Sequence, residues 1–197
     1  MKCAAVVLVL LLVTLPFAAA QPPGHSKAFG KSLGEWMELY WTWFFTGEPA
    51  DGKVKDVVFL PLPDGEIDVS LKTGQKFVLP IWVIVGETYE GGYCDDPDDY
   101  PMEWITDADV LVRLDGRTLV DSEEDDLADF FFEAQWFEET LPYEEPTDYG
   151  STGAIWVAGL ALVHSPLSRG SHTLTLDVYF PAWDLTFDNT WHITVGK

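Results

Sequence analysis

Four histidines, two cysteines and 33 acidic side chains are the residues of this sequence equipped for chemistry. The histidines are His25, His164, His172 and His192. None shows the H-E-x-x-H or paired spacing from which zinc sites are built. His172 and His192 fall in neighbouring strand-like segments, where a third ligand from an acidic loop would complete a metal site. His172 also follows Pro166-Leu167-Ser168-Arg169-Gly170, and there it reads more simply as a hydrogen-bonding brace for a turn. Cys94 precedes Asp95-Asp96-Pro97-Asp98-Asp99, a setting that disfavours a thiolate nucleophile. Glu35 stands beside Trp36, and a carboxyl against an aromatic wall is a candidate acid. It also stands three residues after Ser32, the spacing of a capping box, which is the plainer reading. Asp95, Asp96, Asp98, Asp99 and Glu103 offer the hard oxygen ligands that Ca²⁺ takes. They lack the D-x-D-x-D-G order of an EF-hand, and a solvated charge run is the plainer reading. No nucleophile elbow, P-loop or dinucleotide fingerprint is present, and no strand carries the E-x-D-x-x-E-like carboxylates of a sandwich glycosidase.

Whatever these residues do, helix and strand must position them. Ser32 and Glu35 open a helix over about 33–46, which Gly47 and then Pro49 stop. Leu33, Trp36, Tyr40 and Trp43 share one face, with Met37, Trp41 and Phe44 on a neighbouring one. So little polar face remains that the helix is expected to be core, wedged against other elements. The period then changes to two. Strands are expected at 54–62, 66–71, 76–86, 107–114, 154–164, 173–180 and 190–195, separated by Asp64-Gly65, Thr73-Gly74, Asp115-Gly116 and the Pro166 turn. Residues 129–137 read as a strand or a short helix. The continuous apolar runs 77–85 and 154–163 suggest central strands covered on both faces. The expected fold is mainly β: an antiparallel sandwich, immunoglobulin-like or jelly-roll-like, preceded by one Trp-rich α-helix.

The 197 residues suit one domain, and 47% hydrophobic and 14% aromatic content supplies a sizeable core. A formal charge of -22 repels phosphate backbones and anionic lipid, which argues against nucleic acid or a membrane surface as partner. Residues 1–20 read as a secretory signal peptide: Lys2, an apolar run too short to span a bilayer, Pro16, then Ala18-Ala19-Ala20. Cleavage there removes Lys2 and Cys3, leaving a more acidic chain with Cys94 as its lone thiol and no internal disulfide. A linker over 21–30 and a single domain over 31–197 follow, with the sandwich spanning about 54–197.

Two stretches carry a resemblance. Gly30-Lys31-Ser32-Leu33-Gly34-Glu35-Trp36, continuing to Tyr40-Trp41-Thr42-Trp43, is similar to a G-x-S-x-x-E-W helix with its aromatic run. Pro166-Leu167-Ser168-Arg169-Gly170-Ser171-His172-Thr173-Leu174 resembles a P-L-S-x-G-x-H-T strand motif, with Thr190 to Val195 after it. Together the two stretches resemble an uncharacterised family of bacterial secreted proteins. Tyr40 stands where that family usually has Trp, and 121–146 has no counterpart in it. The resemblance implies secretion and the helix-plus-sandwich layout, and it supplies no catalytic residue. The function expected is that of a secreted or periplasmic, non-catalytic binding module for a glycan, a small apolar molecule or a protein. The alternative is a carbohydrate-active hydrolase with carboxylates in a cleft. No cofactor is expected apart from the Ca²⁺ candidate.

Overall fold

In the computed structural model, which describes residues 27–181 and 184–197, Ser32 and Glu35 start the helix as a reciprocal cap. The Glu35 N–H donates to Ser32 Oγ at 3.2 Å, and the Ser32 N–H donates to Glu35 Oε2 at 2.6 Å. The helix, α1 (Leu33–Thr46), ends where Gly47 turns left-handed at φ 72° and returns its N–H to the Trp43 carbonyl. The leader expected at 1–20 lies outside the described residues, as do His25 and most of the linker. Of the linker's last residues Ala28 is packed: it is buried and takes the Trp36 indole N–H at 2.7 Å.

After α1 the chain builds two five-stranded sheets. The first runs β1 (Lys53–Val54), β2 (Val57–Phe59), β4 (Lys76–Tyr89), β8 (Ser151–His164), β7 (Phe131–Pro142). The second runs β3 (Glu66–Lys72), β10 (Leu185–Gly196), β9 (Gly170–Phe180), β5 (Asp109–Leu114), β6 (Arg117–Asp121). Pairing is antiparallel except for β2 with β4 and β3 with β10. The fold is thus mainly β, a sandwich preceded by a helix.

The strand expected at 54–62 is broken. Lys55 takes φ 56° to fold β1 back on β2, and beyond Phe59 the Pro61 and Pro63 segment, short of N–H donors, crosses to the second sheet. Residues 102–106 form a one-turn helix, α2 (Met102–Thr106), so β5 begins at Asp109. The segment expected to be strand or helix at 129–137 is both: a 3-10 turn over Leu127–Phe130, capped by Asp126, and then β7. The short strand β6, hairpinned to β5 across Asp115-Gly116, was not among the expected strands, although the turn before it was expected.

Two apolar layers result. The sandwich interior gathers Phe77, Leu79, Trp156, Leu160, Leu174 and Trp191 among others. On the outer face of the first sheet, α1 lies mostly across β7 and β8 and buries Trp36, Met37, Tyr40 and Trp41 against Val78, Val157 and Ala161. β4 and β8 are therefore covered on both faces. Burying rings of this size contributes roughly 2–3 kcal/mol each, so the helix is as structural as the sheets. Phe44 departs from the expected buried face: it is 47% exposed and rests on Trp41 and Phe45 at the rim.

Candidate functional site

The residues expected to matter are distributed around the molecule. Ser32 and Glu35 are occupied as the helix cap, and the Ser32 backbone N–H, then its hydroxyl, hold the Glu35 carboxyl below its ordinary range. That is the opposite of what a general acid requires. Tyr40 is buried and donates to the Leu60 carbonyl at 2.6 Å, tying α1 to the end of β2. Trp43 is partly buried, its ring 5.7 Å from that of Phe59.

His172 and His192 sit on adjacent strands but on opposite faces of the second sheet. His172 pairs in register with the buried Ile193, and His192 pairs with the exposed Thr173. His192 contacts Glu66 at 3.1 Å. His172 holds the Asp115 carboxylate through Nδ1 at 2.7 Å and the Ser168 carbonyl through Nε2 at 2.9 Å, while Asp115 also takes the Thr173 N–H. These contacts join the Pro166 turn to the β5–β6 turn.

The acidic loop does not aim its carboxylates at a common point. Asp95 is 8% exposed and turned inward, and Asp96 caps the 3-10 turn Pro97–Asp99. Asp98, Asp99 and Glu103 face solvent. Among the described residues no three His, Cys, Asp or Glu groups gather as a metal-holding set.

What Asp95 turns toward is a site that the sequence did not announce. Where β4 leaves the sheet, Glu87 is 9% exposed. Its carboxylate accepts from the Tyr143 hydroxyl at 2.6 Å and the Tyr149 hydroxyl at 3.5 Å, both from the segment joining β7 to β8. Its backbone N–H donates to Asp95 Oδ2 at 2.9 Å, and the Asp95 N–H returns to the Glu87 carbonyl. Tyr89 also donates to Asp95, at 3.2 Å, and the Trp156 indole N–H reaches the Asp95 carbonyl at 3.1 Å. Burial, reinforced by the Glu87 and Asp95 charges, raises the phenol pKa values of Tyr89, Tyr143 and Tyr149, so these hydroxyls remain donors.

Around this bonded centre the rings are open. Tyr93 is 62% exposed, Tyr149 67%, Trp136 56% and Trp104 54%. Tyr93 and Tyr149 flank Tyr89 at 5.5 and 6.5 Å, and Trp136 and Tyr100 flank Trp156 at 6.5 and 5.6 Å. Trp104 stands on α2, which packs onto β4, β7 and β8 beside them. One signal was available in the sequence. All tyrosines but Tyr40 and Tyr179 fall within 89–100 and 143–149, two segments that the antiparallel pairing of β4 with β8 brings to one end.

Carboxylates gather a second time on the outer face of the second sheet. A hollow of about 560 Å³ is lined by Asp109, Arg113, Asp121, Asp177, Tyr179 and Asp188 among others, and Asp177 and Asp188 are direct partners across β9 and β10. No helix among the described residues is long and apolar enough to cross a membrane.

No family model and no curated protein matches this chain. Among solved structures, "Solution Structure of Amebosin" shares 10% identity at a TM-score of 0.24, covering 71% of this chain and 96% of that one. "Structure of PbICP-C in complex with falcipain-2" shares 8% identity at a TM-score of 0.25, covering 71% and 98%. Likeness at that level carries no argument about this chain.

Proposed function

We propose that this is an exported, non-catalytic binding module whose ligand face is the tyrosine-rich end of the sandwich. The observation that carries the reading is the exposure of Tyr93, Trp104, Trp136 and Tyr149 at one end of the first sheet, around the buried Glu87–Asp95 hydrogen-bonded frame. Aromatic rings held open on a rigid support are how proteins present contact area at low entropic cost. Both Asp95 oxygens and Glu87 Oε1 are bonded to the protein's own donors. A hydrolytic pair instead needs free carboxyls facing each other across the scissile bond. Export rests on the leader at 1–20, and an N-terminus retained ahead of Gln21 in secreted material would count against it.

The test is a comparison of the parent with Tyr149→Ala and Trp104→Ala on arrayed glycans and peptides. Both rings are exposed, so the variants should keep the parental Tm and lose the bound ligand. Variants that bind everything the parent binds would place the ligand face elsewhere.

Carbohydrate hydrolysis is kept as a second reading on one observation, the facing of Asp177 and Asp188 in the 560 Å³ hollow. Release of nitrophenol from aryl glycosides by the parent, absent in Asp177→Asn and Asp188→Asn, would establish it.

A further inference from the structure

We infer that the tyrosine-rich end docks a cationic partner, an Arg- or Lys-bearing segment of another protein; the inference rests on the binding-module reading above and names its partner class. Three observations carry it.

The first is which part of the rings is on offer. The Tyr149 hydroxyl is turned to Glu87 while its ring is exposed, and Trp104 and Trp136 carry no hydroxyl, so these side chains meet a visitor with their π faces and edges. A π face carries negative quadrupole potential and attracts guanidinium and ammonium groups.

The second is the charge around the rings. Glu90, Asp96, Asp98, Asp99 and Glu103 are exposed on the β4–β5 side, and Glu144, Glu145 and Asp148 on the β7–β8 side. The two sides are joined at their bases by the hydrogen bond from the Glu90 N–H to the Gly150 carbonyl. The sequence contains no Lys or Arg between Lys76 and Arg113, nor between Arg117 and Arg169. A cation at this end must come from outside these segments, and the potential that draws it is focused by low-dielectric ring surfaces.

The third is the contrast with rings elsewhere. Lys31 lies 5.9 Å from the Trp36 ring centre and Lys76 lies 5.0 Å from that of Phe29, so those aromatics already hold cations of the chain's own. At the tyrosine-rich end rings and carboxylates are arranged with the cation missing from the sequence around them. A neutral glycan would use the rings and leave the charge unexplained, and an acidic partner would be repelled.

The experiment is fluorescence anisotropy of the full mature chain with a labelled peptide of alternating Arg and Gly, at low and at physiological ionic strength. Tyr149→Ala combined with Trp104→Ala removes two rings and no charge. Asp56→Asn combined with Asp68→Asn removes two charges away from the site, at the β1–β2 turn and on β3. The proposal expects the parent to bind the peptide, the ring variant to bind it about tenfold or more weakly at parental Tm, and the charge variant to change it less than about twofold. Equal weakening by the two variants, or no effect of the ring loss, means diffuse attraction alone and overturns the proposal. A parent that ignores the Arg peptide but binds a neutral glycan through Tyr149 and Trp104 also overturns it, while leaving the binding face standing. Ring variants that change the binding of neither ligand overturn both.

Discussion

Gly86 decides whether the tyrosine-rich end can exist. A Cβ there would collide with the Trp156 ring, which lies across this position with its N–H on the Asp95 carbonyl. Gly86→Ala must push the indole aside, strain a packed core and release Asp95. A loss of about 1–3 kcal/mol is expected, together with new exposure of Tyr89 seen as a change in near-UV circular dichroism. Tyr143→Phe is the milder test of the same frame. It takes the closest donor from a nine-tenths buried Glu87, and chemical denaturation should show a cost of about 1–3 kcal/mol. The Asp115–His172 contact gives a pH signature. Burial opposes charge on His172, but the hydrogen bonds to Asp115 and the Ser168 carbonyl outweigh it and raise its pKa above 6.5. Burial likewise opposes Asp115 ionisation, and His172 with the Thr173 N–H outweighs it, lowering that carboxyl below 3.8. The His172 contribution is therefore complete below pH 6.5 and fades as pH rises through the raised value. The Asp115 contribution is present above 3.8 and fades as pH falls through the lowered one. His164 is pushed down by burial and works in the opposite sense, losing stability as pH falls below 6.5, but it is common to parent and variant. Thermal melts of Asp115→Asn between pH ~6 and ~8 should accordingly lack the decline that the Asp115–His172 contact gives the parent.

At the scale of elements, α1 is where local code and tertiary need agree. The Ser32–Glu35 cap and the Gly47 stop were legible because each is a short-range hydrogen-bond arrangement written into adjacent residues. The aromatic stripe was legible as core, and the burial of Trp36 and Tyr40 sharpens what to expect from substitutions. Trp36→Ala leaves a cavity and drops the bond to Ala28, and should cost about 3–5 kcal/mol in a denaturant titration. Phe44→Ala, on the exposed rim, should stay within about 1 kcal/mol of the parent. If Phe44→Ala proved as damaging as Trp36→Ala, the packing of α1 on β7 and β8 would be misdescribed. Long strands were legible from their period, as Leu174, Leu176 and Val178 on β9 illustrate. The breaks were not, because Lys55 at positive φ and the crossing at Pro61 and Pro63 answer to where the other sheet lies. At the tyrosine-rich end the clustering of tyrosines was legible, but the bonded frame beneath them was not, for a stronger reason. Glu87, Asp95, Tyr143 and Trp156 come from separate segments, and register shifts at Gly86/Glu87, Thr88/Tyr89 and Trp136/Leu141 re-aim the side chains. No alternation in one strand encodes a bulge required by its neighbour.

At the scale of the whole molecule the governing quantity is a charge of -22, unevenly spread. Carboxylates bunch at 95–99 and 121–126, where several are tied down locally. Asp96 caps a turn, Asp121 and Asp125 accept the N–H groups of Glu123 and Asp121, and Asp126 caps another turn. Such bonds fix the loops and leave the net repulsion in place, since an N–H neutralises no charge. Self-repulsion over these distances operates through solvent and is screened within roughly 10 Å at 0.1 M salt. Raising ionic strength should therefore stabilise the fold, and each kcal/mol relieved would be read as roughly 2–4 °C in Tm for a domain of this length. A Ca²⁺ site would behave differently, because binding adds a stabilisation that grows with the logarithm of free Ca²⁺ at constant ionic strength. The inward turn of Asp95 and the cap of Asp96 take two of the five candidate ligands out of a shared position. Melts in NaCl and CaCl₂ at matched ionic strength should consequently coincide. A higher Tm in CaCl₂, abolished by Asp98→Asn with Asp99→Asn, would mean that the acidic loop rearranges around the ion.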